Sequence, residues 1–201
     1  DGAPMDPGHY LLVSGSRLAS GSVLVNVKTL SISAGKTTDE ALVMRRDTTA
    51  VAVLGSFNSE NLYGYLGEAE SLTKTSDVTA AQPQERSLLS TTGRGYYILG
   101  ILGAGEEPTN HALKDIIAER EVFEHWGRSL VLLFKDETSR SRYRSEDFQG
   151  LPKGTVFGID ATGKILDELR TSMKLRSGDL PVFVIADTFN RVVFVSQGYT
   201  I

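Results

Sequence analysis

Glu106 and Glu107 are adjacent carboxylates, followed directly by Pro108, Thr109, Asn110 and His111. Proline suits the first turn of a helix, and Thr or Asn can cap one, so a helix is predicted to open here. A helix start presents free backbone N–H groups and about half a unit of positive charge. In that field the two carboxylates can simply stabilise the helix, each by roughly 0.3–1 kcal/mol. The same spot could instead hold a small ligand with Thr109 and His111, or support hydrolytic acid–base work. The last needs a partner across a cleft, and none is visible in the sequence.

The other chemistry-bearing patterns are weaker. The three histidines are His9, His111 and His125. His111 and His125 stand too far apart for a two-histidine helix site, which needs a spacing of about four. His111 and Asp115 have that spacing, but one His and one Asp read as a surface pair worth a few tenths of a kcal/mol. Ala34-Gly35-Lys36-Thr37 has the last letters of a phosphate-binding loop, yet Leu30 stands where its first glycine belongs. It is predicted as a hairpin turn. Gly100, Gly103 and Gly105 have the wrong order for a dinucleotide loop, and no Gly-x-Ser-x-Gly elbow occurs. No catalytic residue, cofactor or metal ligand is therefore assigned.

Composition narrows the remaining classes. The chain has 201 residues and no cysteine, which removes disulfides, thiolate metal sites and thiol redox chemistry. Its net charge of −4 does not suit a nucleic-acid partner, whose phosphates need a basic face. The one dense basic run, Arg140-Ser141-Arg142-Tyr143-Arg144, is flanked by Asp136, Glu137, Glu146 and Asp147 and is predicted to be solvated surface. No apolar run approaches the roughly 18 residues of a membrane span. The opening Asp1-Gly2-Ala3-Pro4-Met5-Asp6-Pro7-Gly8 is not a signal peptide and reads as a turn inside a longer protein.

The elements that would position the 106–111 group follow from hydrophobic period. Residues 1–55 read as β: His9–Val13, an alternating run from Val23 through Ile32, a turn at Ala34–Lys36, a return strand at 41–45, and 51–55. So few strands make only part of a sandwich, which leaves edges and a face to cover. Residues 56–92 are polar and are predicted as linker or irregular chain, best between Ser71 and Arg86, with a short ordered patch at Leu62–Leu66. From 93 to 201, strand and helix patterns alternate. Buried strands are predicted at 96–102, 130–134, 155–159 and 181–186, with a hairpin return at 191–195. Helices are predicted from Pro108 to a buried Trp126, from Glu137 to Phe148, and from Lys164 to Leu175.

The order β-α-β-α-β-α-β-β, closed by a hairpin that starts at a proline, resembles the thioredoxin fold. In that family a Cys-x-x-Cys pair opens the first long helix, and a cis-proline enters the penultimate strand opposite it. Glu106-Glu107-Pro108-Thr109 stands at the first position and Pro181 at the second. The resemblance implies an α/β domain with a mixed central sheet, and a site facing Glu106, Glu107, Thr109, His111 and Pro181 with its sulfur gone. A finer resemblance is to the C-terminal region of transglutaminase-like envelope proteins of the Bacteroidetes. It is carried by Gly8-His9-Tyr10-Leu11, Ser16-Arg17-Leu18-Ala19-Ser20-Gly21-Ser22, Gly93-Arg94-Gly95-Tyr96-Tyr97 and Glu107-Pro108-Thr109-Asn110-His111-Ala112. Near the end, Asp187-Thr188-Phe189-Asn190-Arg191-Val192-Val193-Phe194 and Ser196-Gln197-Gly198-Tyr199-Thr200-Ile201 carry it too. The resemblance implies an exported parent, extracytoplasmic in the periplasm or cell envelope, whose catalytic-like domain lies upstream. The partners implied are those upstream domains and an extended peptide. On this reading the chain is a non-catalytic accessory or interaction module, with a hydrolytic or small-ligand site at 106–111 as the alternative.

Overall fold

Two compact units make up the chain, Asp1–Val51 and Ala52–Ile201. The computed structural model describes residues 6–17, 23–36, 45–46, 53–58, 61–75, 80–93, 95–105, 107–126 and 129–198. In the first unit, β1 (Gly8–Arg17) runs antiparallel to β2 (Val23–Ile32), with Gly8 opposite Ile32 and Arg17 opposite Val23. β3 (Arg45–Arg46) pairs with the other edge of β2. The first strand thus continues through Ser14-Gly15-Ser16, where its end was predicted, because cross-strand pairing holds these small residues extended. Gly35 supplies the turn, in the left-handed region at φ +68°. Of the return strand predicted at 41–45, all but Arg45 lies outside the described residues.

The second unit is built on one eight-stranded sheet. Its elements are β4 (Gly55–Ser56), β5 (Leu62–Glu68), α1 (Ala69–Thr75), β6 (Gln84–Ser87), α2 (Leu88–Thr92) and β7 (Tyr97–Leu102). Then come α3 (Glu107–Ala118), α4 (Arg120–Trp126), β8 (Leu130–Phe134), α5 (Glu137–Arg140) and a 3-10 turn over Ser145–Phe148. The last are β9 (Val156–Ile159), α6 (Lys164–Met173), β10 (Val182–Ala186) and β11 (Arg191–Gln197). The strands lie in the order β4-β11-β10-β7-β8-β9-β5-β6. β7, β8 and β9 are mutually parallel, and the other pairings are antiparallel.

The central strands are apolar throughout because both their faces are buried. Along β8, Val131 and Leu133 enter one core while Leu130, Leu132 and Phe134 enter the other. The first core is closed by α6 through Ile165, Leu166 and Leu169. The second holds Leu113 and Ile116 of α3 and an aromatic group of Phe134, Tyr143, Phe148 and Phe157. Ring centroids in that group lie 4.5–5.9 Å apart, the range in which a pair adds about 0.5–1.5 kcal/mol beyond its buried area.

Several sequence expectations change here. The polar segment 56–92 is no linker in the described residues: it supplies β5, α1, β6 and α2. Its composition is that of a sheet edge, with Tyr63 and Leu66 turned inward and Gln84, Glu85 and Arg86 left in solvent. The boundary between units falls after Val51 rather than after 55, because Gly55 pairs with Val192 in this sheet. The helix predicted from Pro108 to Trp126 breaks at Glu119 into α3 and α4. No residue of α4 is buried, and Trp126, expected inside, is 40% exposed. The helix predicted from Glu137 to Phe148 is only a four-residue turn and a 3-10 turn. The basic run divides: Ser141, Arg142 and Arg144 are exposed as expected, whereas Arg140, whose guanidinium donates to the Ala81 carbonyl and to Glu137, and Tyr143 are buried.

The β10–β11 hairpin is held by two polar clusters. The Tyr97 hydroxyl donates to Asn190 Oδ1, and Asn190 Nδ2 donates to the Asn58 carbonyl at 3.1 Å. Burial, with Asp187 nearby, pushes the Tyr97 phenol far above its usual range. Tyr97→Phe leaves a buried acceptor unpaired and should lower the unfolding free energy by about 1–3 kcal/mol in urea titrations. Burial pulls the Asp187 carboxyl upward, but hydrogen bonds from the Arg191 side chain and from the Arg191 and Phe189 backbone outweigh it and hold it below the usual value. A depressed carboxyl contributes stability that is full above its unfolded pKa of about 3.9 and is lost as pH falls through the folded value. The stability difference between the native chain and Asp187→Asn should therefore be flat from about pH 6 to 8 and shrink below about pH 4.

Candidate functional site

Chain crossings at the C-terminal end of β7 bring the helix start and the proline loop together. β7 ends at Leu102, turns through Gly103–Gly105, and the chain re-enters as α3 at Glu107. On its other side β10 pairs antiparallel, with Val182 opposite Ile101. The Leu180–Pro181 bond just before it is cis, and Pro181 is buried. Gly103 is the joint. A Cβ there would stand 3.2 Å from Leu180 Cβ and 3.7 Å from Thr109 Oγ1. A side chain there would press on Leu180 and have to push the proline loop back by a few tenths of an ångström.

Other bonds fix this corner. The buried Tyr143 hydroxyl donates to the Gly103 carbonyl at 2.9 Å. Asn110 Nδ2 donates to the Gly105 carbonyl at 3.3 Å. The Gly198 N–H donates to the Pro181 carbonyl at 2.8 Å, tying the proline loop to the end of β11. Gln197 completes the tie, accepting from the Arg176 N–H at 3.0 Å and donating to the Asp179 carbonyl at 3.4 Å. Sequence reasoning missed Tyr143, because its neighbours in the basic run pointed to solvent.

The predicted site residues part company here. Glu106 lies outside the described residues. Glu107 opens α3 with its side chain 84% exposed, and its Oε1 lies 2.7 Å from His111 Nε2, one turn on. His111 therefore pairs with Glu107, and not with Asp115 as its spacing also allowed. Thr109 is 1% exposed and turned toward the Gly103 joint. The buried Thr109 hydroxyl and the exposed Glu107–His111 pair belong to different sides of the helix start. Among the described residues no group of three or more His, Asp or Glu is arranged to hold a metal ion, and no helix is long and apolar enough to cross a membrane.

The fold is thioredoxin-like, as the resemblance implied: a central strand leads into a helix, two parallel strands follow, and a hairpin entered at a proline returns beside the first strand. No family model matches the chain, and no curated protein matches it in sequence. Solved structures overlap it loosely. A putative thiol:disulfide interchange protein DsbE from Chlorobium tepidum is 14% identical, with a TM-score of 0.45 over 72% of this chain and 86% of that one. AhpC from Mycobacterium tuberculosis is 14% identical, with a TM-score of 0.48 over 71% and 81%. A thioredoxin-like protein from Bacteroides caccae is 14% identical, with a TM-score of 0.43 over 71% and 45%. The fold rests on the strand order, not on these overlaps.

The corner makes a graded prediction. Tyr143→Phe removes the donor to a buried carbonyl and should cost about 1–3 kcal/mol in thermal or urea unfolding. Glu107→Gln and His111→Gln touch an exposed pair and should each change stability by less than about 0.5 kcal/mol.

Proposed function

We propose that this chain is a non-catalytic interaction module of a larger exported, transglutaminase-like protein, and that its thioredoxin-like corner contacts rather than converts a partner. The observation that carries this is the state of that corner. Its backbone joint of Gly103, Leu180 and cis-Pro181 is intact, yet the chain has no cysteine. Thiol–disulfide exchange needs a thiolate, so that activity is absent from this chain. The side chains left there do not assemble a hydrolytic set. Thr109 is buried, while Glu107 and His111 close on each other in solvent, and a general base must reach the group it deprotonates.

The loop entering β10, beside the start of α3, suits capture of an extended segment through backbone hydrogen bonds. On this reading Leu180 is the contact residue and the partner segment comes from the upstream domains of the parent. The three-stranded sheet of Asp1–Val51 would be the last part of a sandwich that those domains complete. The periplasm or cell envelope is the compartment, by the sequence resemblance alone. One fold hosts many functions, so the assignment must be tested at the site.

The test is binding of the upstream fragment of the parent to the full chain, read by biolayer interferometry. Micromolar binding weakened at least about tenfold by Leu180→Asp, a change of about 1.4 kcal/mol, is the expected result. No binding of that fragment, or of extended peptides, at high micromolar concentration removes the proposal. Turnover of ester or amide substrates that His111→Gln abolishes would make the chain an enzyme instead.

A further inference from the structure

Alternation along β10 and β11 leaves an apolar face that the fold covers on one side only. Val182, Val184 and Ala186 point into the core closed by α6. Phe183 and Ile185 point the other way; Ile185 is flanked by Ile98 of β7 and Phe194 of β11. There α3 reaches only partway. Between its Ala112 and Ile116 and the strands lies an open groove of about 350 Å³, with Phe123 of α4 also lining it. Phe194, on the rim, is 51% exposed. A contiguous apolar surface rimmed by polar residues is the mark of an interaction site.

Among the described residues, Asp115 is the one charged side chain that lines this groove. Its helical neighbour His111 is held by Glu107, and among the described residues no ion pair to Asp115 occurs. The groove therefore offers an apolar floor and one unneutralised negative charge.

We propose that the groove receives an amphipathic helix of a partner, with its apolar stripe on Phe183, Ile185 and Phe194 and a lysine or arginine against Asp115. Three features select a helix. The floor spans three adjacent strands, about 10 Å at the usual strand spacing, which matches a helix diameter. Strand addition uses the edge of a sheet, whereas this is a face. The opposite face of these same strands is already covered in that way, by the ten-residue α6 with Ile165, Leu166 and Leu169 turned inward. The charge at Asp115 then sets the sign of the partner. This surface does not depend on the parent assigned above.

The test uses the full chain and two labelled synthetic peptides of about 15 residues. Both carry one leucine stripe at helical spacing; one has lysines flanking it and the other glutamates. Fluorescence anisotropy should show the lysine peptide binding with a Kd of tens of micromolar or tighter, and the glutamate peptide at least about fivefold weaker. Asp115→Lys should reverse that order. Ala112→Trp, which fills the groove, should abolish binding of both; Phe194→Glu, at an exposed position, gives the same readout if the first variant does not fold. No binding at millimolar peptide, equal affinity for both charge forms, or binding that survives both groove variants overturns the proposal. So does a small apolar dye that fills the groove and is displaced by neither peptide, or a dimer in sedimentation that Phe194→Glu dissolves.

Discussion

The structure of the second unit depends on burying β7 and β8 on both faces at once. Their side chains alternate, so each strand feeds two cores: Leu99 and Ile101 enter one, Leu102 and Leu132 the other. Backbone polar groups so deeply buried must be paired on both edges, which β10 and β9 do on either side. Close packing then leaves little room for side chains of the wrong size. At Gly100 a Cβ would stand 2.5 Å from the Phe183 ring, so the phenylalanine lies over the strand only because the glycine is bare. The same constraint puts the ends of β7 and β8 and the entry of β10 side by side, and so creates the corner.

That corner is a backbone feature first and a chemical one second. The Gly103 joint, the Tyr143 bond to its carbonyl and the tie from Gly198 to Pro181 hold loop against helix without reference to any reactive group. With a thiolate at the helix start, the field of α3 would favour charge and reactivity. With a carboxylate there, the field stabilises the helix, and the nearby histidine pairs with Glu107 in solvent. On the proposed reading the shape of this corner, rather than a reactive group, is what a partner would meet.

The sheet is also unequal. One face is covered by α6 through Ile165, Leu166 and Leu169, while among the described residues the face over Phe183, Ile185 and Phe194 is lined by α3 and Phe123 of α4. A helix with no buried residue, a half-exposed Trp126 and an exposed Val122 stand at that side.

Much of this fold was legible because its core strands are continuous apolar runs, and burial on two faces leaves no other pattern. The strands expected from composition and turn residues at 96–102, 130–134, 155–159, 181–186 and 191–195 form, with ends shifted by no more than two residues, at Tyr97–Leu102, Leu130–Phe134, Val156–Ile159, Val182–Ala186 and Arg191–Gln197. The absence of thiol chemistry is also a property of the sequence, since no folding can supply a missing sulfur. The edge strand β6 was not legible: Gln84–Ser87 is polar because one of its edges meets solvent, and polarity reads the same in a loop, whereas its apolar neighbour β5 showed as the short ordered patch at Leu62–Leu66. Nor could local pattern foretell that Arg140 and Tyr143 turn inward or that Trp126 turns out, because those depend on which distant segment arrives to cover them. Spacing allowed His111 to pair with either Glu107 or Asp115. Choosing between neighbours at equal sequence distance takes three-dimensional packing, and that choice is what left Asp115 unpaired beside the groove.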